Sequence, residues 1–188
     1  MEVMIHRAGE KQGALMSSHY DVVIIGGGMV GASLAMALRN TSLSIAVIEP
    51  FPMAKQGDSG PAYQPSYDSR STAISWGSRL IYQQLGLWDT LSQHVTPIKK
   101  IHVSDRGRFG ATRLNAHDYQ VEALGYVAPN EWIGRTLSSA LKSLNNVDFI
   151  CPAKVEHITR TETSSRLTLV KQNPQTEQFD AEADRQDV

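Results

Sequence analysis

Four glycines fall within six positions, Gly26, Gly27, Gly28 and Gly31, in the stretch DVVIIGGGMVGASLAMALRN. No other feature restricts the fold of this chain as tightly. Upstream, Val22–Ile25 is an unbroken β-branched run, which suits a parallel strand buried on both faces. Downstream, Val30, Leu34, Ala37 and Leu38 recur at helical spacing over Met29–Arg39 and mark one apolar face, with Asn40 placed to end the helix. A second β-branched run, Ile45–Ile48, leads to Glu49 and is stopped by Pro50 and Pro52. Strand, glycine turn, helix, strand is a βαβ unit, and it sets a Rossmann-like parallel sheet at the start of an α/β domain.

The pattern Gly26-x-Gly28-x-x-Gly31 has a chemical reading in that context. Gly26 makes the tight turn out of the strand. Gly28 lets a pyrophosphate approach the backbone, and Gly31 lets the helix pack closely on the strands. Met29 and Val30 open the helix, and Gly27 adds only flexibility. The phosphates of a dinucleotide would sit on the helix N-terminus, where free N–H groups and the helix dipole both favour an anion. Glu49 follows Gly26 by 23 residues, near the ~20 expected for the acid that accepts hydrogen bonds from ribose hydroxyls. A carboxylate there favours a ribose without a 2′-phosphate. Purely structural glycines are the alternative, and the agreement of strands, glycines, helix and acid argues against it.

The remaining composition narrows the partners. The chain has 188 residues, 41% hydrophobic and 20% charged, with a formal net charge of −1. No basic excess points to nucleic acid or to an anionic membrane surface. Cys151 is the single cysteine, and no Cys/His cluster has metal-ligand spacing, so no metal site is expected. Cys151 reads as a small buried apolar residue of a protein in a reducing cytoplasm. The N-terminus has neither a signal-peptide apolar run nor a transmembrane span. Residues 1–19 read as a disordered extension, with His6 and Arg7 solvated, before a domain over 20–180.

Along that domain, Phe51–Ser69 reads as a long loop rich in Pro, Gly, Ser, Tyr and Asp. A helix carrying Leu80, Ile81 and Leu85 ends at Gly86, and Leu87 packs beyond the cap. Antiparallel strands and turns follow, then a helix over Asn130–Leu144 with Asn130 as its N-cap. VDFI is a short strand, and AKVEHITRT and RLTLVKQ form a hairpin around Thr161–Ser165. From Asp180 to Val188 no strand pattern fits, and 181–188 reads as an irregular tail.

Ala35 follows Gly31 by four residues, and Glu49 ends the second strand. The whole run resembles the FAD-binding two-dinucleotide-fold proteins. An NAD-binding domain would continue with alternating helices and parallel strands, whereas a Pro/Gly loop and antiparallel strands follow here. At YDSRSTAISWGSRLIYQQLGLWDTL the resemblance sharpens. Asp68, Arg70, Ala73 and Leu85-Gly86-Leu87-Trp88 stand as they do in the aromatic-ring flavoprotein monooxygenases, and within them the ubiquinone-biosynthesis hydroxylases. IHVSDRGRFG and DYQVEALGYVAPN resemble the branch acting on 2-octaprenyl-6-methoxyphenol. IGRTLSSAL matches the helix pattern Arg-x-x-Leu-x-x-x-Leu. The resemblance runs from about Tyr20 to about Val170.

The resemblance implies an FAD-binding βαβ core with the antiparallel portion belonging to a substrate domain. It implies FAD as cofactor, NAD(P)H as reductant and O₂ as oxidant, with a flavin hydroperoxide as the oxidising group. The substrate would be a small aromatic or a polyprenylated phenol. The protein would be cytoplasmic, with peripheral membrane or biosynthetic-complex association when full-length. Arg70 matches an arginine near the flavin, Arg135 matches the helix arginine that contacts FAD, and Val155 stands where the backbone meets the adenine. Read from the residues alone, the alternatives are a surface residue for Arg70, a partner for Glu131 one turn away for Arg135, and ordinary strand packing for Val155. His94, His102 and His117 are scattered, and Asp105, Arg106 and Arg108 form a charged turn. No catalytic residue is assigned.

The family's later Asp-Gly and Gly-Asp motifs are not found in the chain. It is therefore expected to be the N-terminal part of a roughly twice-longer enzyme, inactive by itself. Two other readings stay open: a related FAD hydroxylase of a soluble aromatic substrate, and a nucleotide-binding module without turnover.

Overall fold

The computed structural model describes residues 2–7, 16–51, 70–107 and 109–171. The expected loop over 52–69 with Asp68, the side chain of Arg108 and the tail over 181–188 lie outside them. Tyr67–Thr136 form one compact unit, and the segments on either side of it form another.

The flanking unit is built around a parallel sheet. β3 (Val22–Ile25), β4 (Ile45–Ile48) and β10 (Val147–Ile150) lie in the order β10-β4-β3, and α1 (Met29–Ala37) connects the first two. β4 is the middle strand, and all four of its residues are buried. β3 departs from its expected burial on both faces: it is the outer strand of the three, and Ile25 is 55% exposed.

α1 forms where its spacing predicts, but it buries a different face. Ala32, Ala35 and Met36 are its buried residues, while Val30 is 83% and Leu34 48% exposed. Apolarity all round this helix conceals the packed stripe. Small residues decide it, because alanines let the helix axis approach the sheet. At the far end of the sheet the amide and hydroxyl of Ser44 both donate to the Asp21 carboxylate, each at 2.8 Å. These two donors hold that carboxyl below the usual value of an aspartate, the backbone amide contributing most. The Asn146 side chain donates to the carbonyls of Leu38, Thr41 and Leu43, and so ties the helix exit to the start of β10.

A second sheet in this unit has the order β11-β12-β1-β2. β11 (Ala153–Arg160) and β12 (Ser164–Lys171) are the expected hairpin, closed by the Thr161 amide donating to the Ser164 carbonyl. The other two strands overturn the expected disordered extension. β1 (Glu2–Arg7) pairs in parallel with β12, and β2 (Met16–Tyr20) pairs antiparallel with β1. Residues 8–15 lie outside the described set. The apolar run Val3–Ile5 is too short to be read as a strand by itself, and backbone pairing to the edge of β12 makes it one. Tyr20, Ala46, Ile48, Ile150, Ala153, Leu167 and Leu169 form a core cluster between the two sheets, and Val155 packs against it.

In the unit Tyr67–Thr136, β5 (Ser71–Ser75), β9 (Gly125–Pro129) and β6 (Thr96–Ile98) make an antiparallel sheet of order β5-β9-β6. β7 (Lys100–Ser104) and β8 (Ala111–Asn115) form a separate hairpin. α2 (Trp76–Gln84) is capped by Ser75, whose hydroxyl accepts from the Ser78 amide. It ends as the sequence predicts. Gly86 takes φ +75°, its amide donates to the Gln83 carbonyl, and the Leu87 amide donates to the Tyr82 carbonyl. That pair of bonds is a Schellman turn. It delivers Leu87 and Trp88 into the core, at 3% and 7% exposure, where the Trp88 ring meets Tyr126 edge-on at 4.8 Å. The motif Leu-Gly-Leu-Trp is therefore a helix stop followed by a core anchor. Leu80 and Ile81, expected on the packed face of α2, are 40% and 57% exposed, and Tyr82 is its buried residue. α4 (Asn130–Leu141) leads back to the flanking unit. It buries Ile133, Leu137 and Leu141 and stops one turn short of the expected Leu144. Asn130, expected as its N-cap, is its first residue, and the side-chain oxygen of Asn130 accepts from the Thr72 hydroxyl at 2.6 Å.

Candidate nucleotide site

The glycine turn sits at the C-terminal end of β3, beside the C-terminal end of β4. Gly26 takes φ +103°, a conformation that L side chains rarely adopt. Its amide donates to the Ile48 carbonyl at 2.8 Å, so the turn is fastened to β4 as it leaves the strand. Gly31 is required by close approach: a Cβ built on it would lie 2.0 Å from the Gly26 carbonyl oxygen and 3.0 Å from Ile24 Cγ2. Helix, turn and strand meet there with no room for a methyl group.

Gly28 is the N-cap of α1, at φ −65° and ψ −175°. Any residue can adopt that extended conformation, so the backbone alone does not call for glycine at this position. Its carbonyl accepts the first helical bond, from the Ala32 amide at 2.9 Å. No side chain caps this helix, and its first turn carries no acidic residue. An uncapped N-terminus free of carboxylates suits an anion, by the orientation of its N–H groups and by the helix dipole. Met29 and Val30 form the first turn, and Val30 projects into solvent.

Glu49 is 4% exposed. Its Oε2 accepts from the Gly27 amide at 2.7 Å and its Oε1 from the Phe51 amide at 3.0 Å. Its own backbone is held between Ile150 and the Ala153 amide. Besides the ribose expected of it, this carboxylate therefore serves the glycine turn and the chain leaving β4, a task that spacing does not reveal. The two uses are compatible, because an ionised carboxylate offers about four acceptor positions. Gly27 also has a larger part than flexibility. A Cβ on it would lie 3.0 Å from Phe149 Cε2 and 3.1 Å from Glu49 Cβ.

These residues fit the ADP half of a dinucleotide: a glycine turn, an uncapped helix start and a buried carboxylate within one βαβ unit. Val155 belongs to the same unit of the structure, on β11, half-buried against the core cluster. The β11–β12 register shifts between Val155 and His157. Arg70 and Arg135 belong to the other unit. Arg70 precedes β5, and its carbonyl accepts from the Asn130 amide at 2.9 Å. Arg135 pairs with Glu131 one turn away, as its residue-level reading allowed, and its guanidinium lies 5.4 Å from the Trp132 ring centre. Trp132 also stacks face to face on His94, with ring centres 3.3 Å apart. His102 accepts from Arg113, and His117 lies beside Asp118 on the surface. Among the described residues no group of His, Cys, Asp and Glu could hold a metal, and no helix is long and apolar enough to cross a membrane. Cys151 is half-buried, and its thiol meets the Phe51 carbonyl at 3.1 Å.

Residues 21–145 match the family of FAD dependent oxidoreductases. The chain belongs to that family. Its FAD dependence agrees with the glycine turn and Glu49. Among similar proteins are "Ubiquinone hydroxylase UbiL" of Rhodospirillum rubrum, 32% identical over 74% of this chain and 31% of the relative. "Ubiquinone hydroxylase UbiM" of Neisseria meningitidis is 27% identical over 84% of this chain and 34% of the relative. The matched part of the chain thus spans about a third of the length of these curated relatives. In fold it is similar to the OxyS anhydrotetracycline hydroxylase of Streptomyces rimosus, with TM-score 0.63, 16% identity, and coverage of 81% of this chain and 28% of that one. The flavin-dependent monooxygenase PieE gives TM-score 0.62 at 14% identity, covering 85% and 28%.

Proposed function

We propose that this chain binds the ADP half of FAD at the β3–α1 turn, within a hydroxylase that acts on a polyprenylated phenol in ubiquinone biosynthesis. The observation that carries the binding is the start of α1: no side chain caps it, its first turn carries no carboxylate, and Glu49 lies buried beside the turn. Gly28 there has no side chain to keep a phosphate from the backbone. In this reading the amides at the start of α1 hold the pyrophosphate, and Glu49 accepts from the ribose hydroxyls with the acceptor positions its backbone partners leave. The Val155 backbone borders the adenine. The family resemblance makes Arg70 and Arg135 the candidates for charge-assisted donors to the cofactor. FAD, when bound and reduced by NAD(P)H, supplies the chemistry that activates O₂. The substrate class rests on the names of the relatives, and a phenol with a long apolar tail suits a cytoplasmic protein working at a membrane surface. The chain alone is expected to bind FAD without hydroxylating a short-chain polyprenylphenol, since the described residues that fit the cofactor serve its ADP half.

The test is calorimetric titration of the 188-residue chain and of Gly28→Val with FAD. Saturable binding is expected for the chain and none for the variant, whose circular dichroism should stay that of the original fold even if valine, a poorer N-cap than glycine, lowers its melting temperature. Equal binding by both would remove the phosphates from this turn.

A further inference from the structure

Phe149 lies on β10, two strands away from the glycine turn in the sheet order. Its ring nevertheless reaches the turn. The Cε2 and Cζ atoms lie 3.0 and 3.2 Å from the point where a Gly27 side chain would begin. Glu49 Cβ closes the same point at 3.1 Å, and the Glu49 carboxylate takes the Gly27 amide at 2.7 Å. Gly27 is therefore held by a hydrogen bond and by two carbon surfaces. Its φ lies outside the left-handed range, so a left-handed backbone is not what selects glycine at this position. The obstacle is the ring, with Glu49 Cβ beside it.

We propose that Phe149 is a positioning residue for the nucleotide turn. Its ring sets how deeply Gly27 seats toward β4, and thereby where the following amides of Gly28 and Met29 stand relative to a bound phosphate. This rests on the nucleotide reading above and adds a residue that the glycine motif does not contain. It makes a specific size relation: glycine at 27 goes with an aromatic ring at 149. A methyl group at 27 displaces the turn unless the ring gives way, and a smaller side chain at 149 removes the nearer obstacle, leaving Glu49 Cβ at 3.1 Å to yield by a few tenths of an ångström.

The test is a double-variant cycle on the full chain, read by FAD titration and by chemical denaturation. Gly27→Ala is expected to weaken FAD binding about tenfold, and Phe149→Leu about threefold. The double variant should bind FAD within about threefold of the original chain, tighter than Gly27→Ala alone. A role limited to core packing predicts otherwise: losses that add in stability and no recovery of affinity. Unchanged affinity in Gly27→Ala, or a double variant no better than that single one, overturns the positioning role. If the original chain binds no FAD, the nucleotide reading itself falls and takes this role with it.

Discussion

Gly31→Ala adds one methyl group at the tightest point of the βαβ unit. The new Cβ would stand 2.0 Å from the Gly26 carbonyl oxygen, and real Cβ atoms essentially never come within 3.0 Å of such a neighbour. Helix α1 must therefore withdraw by about 1 Å, since the obstacle is backbone and cannot rotate away. Ala32 and Ala35 have no exposed surface, so lifting the helix opens contacts along its length. Overpacking of this kind costs about 1–3 kcal/mol, and a backbone clash belongs at the upper end. For a chain of this size about 3 kcal/mol lowers the melting temperature by roughly 6–12 °C. Gly77→Ala in α2 is the control: the nearest atom to its new Cβ is Ser75 Oγ at 3.9 Å. Alanine exceeds glycine by about 0.8–1 kcal/mol in a helix, so this variant should melt at or slightly above the original. Scanning fluorimetry of all three proteins decides the matter. If Gly31→Ala melts with Gly77→Ala, the close approach of helix and turn is not what selects glycine at 31.

Glu49→Gln replaces one acceptor with an amide donor against the N–H of Gly27 or Phe51, in a site that is 4% exposed. Leaving a buried donor unpaired costs about 1–3 kcal/mol, to be read as a lower urea midpoint with an unchanged slope. Asp21 should titrate below the usual aspartate value, because the Ser44 amide and then its hydroxyl stabilise the ionised form. Its contribution to stability is present above the unfolded pKa of about 3.8–3.9 and is lost as pH falls through the folded value. Carboxyl NMR of Ser44→Ala should show the Asp21 pKa returning only part of the way, since the larger backbone donor remains.

The parallel core was legible because its signals are local. β-Branched runs, a glycine turn and an acid at fixed spacing each constrain a few neighbouring residues, and they agree. The Schellman turn at Gly86 and the hairpin at Thr161 were legible for the same reason. Two features were not. Residues 2–7 carry an apolar run too short to be read as a strand by itself, and what makes them a strand is the backbone edge of β12, some 160 positions away in sequence. The buried face of α1 was misread because every face is apolar. Hydrophobicity then says nothing about direction, and side-chain size decides, with alanines against the sheet and Val30 and Leu34 outward.

The same division runs through the candidate site. Gly26 and Gly31 could be read directly, since a positive φ and a helix pressed on its own turn are properties of adjacent residues. Glu49 was found by spacing, but spacing showed only one of its tasks. Its bonds to Gly27 and Phe51 make it part of the frame that holds the turn as well as a group facing a ligand. Loss of affinity on removing this carboxylate would therefore mix two effects, a lost ribose partner and a displaced turn. Gly28 helps to separate them, because neither bond of the Glu49 carboxylate is made to it. An affinity lost at Gly28 with stability intact belongs to the ligand, and an affinity lost at Gly27 and regained by shrinking Phe149 belongs to the frame.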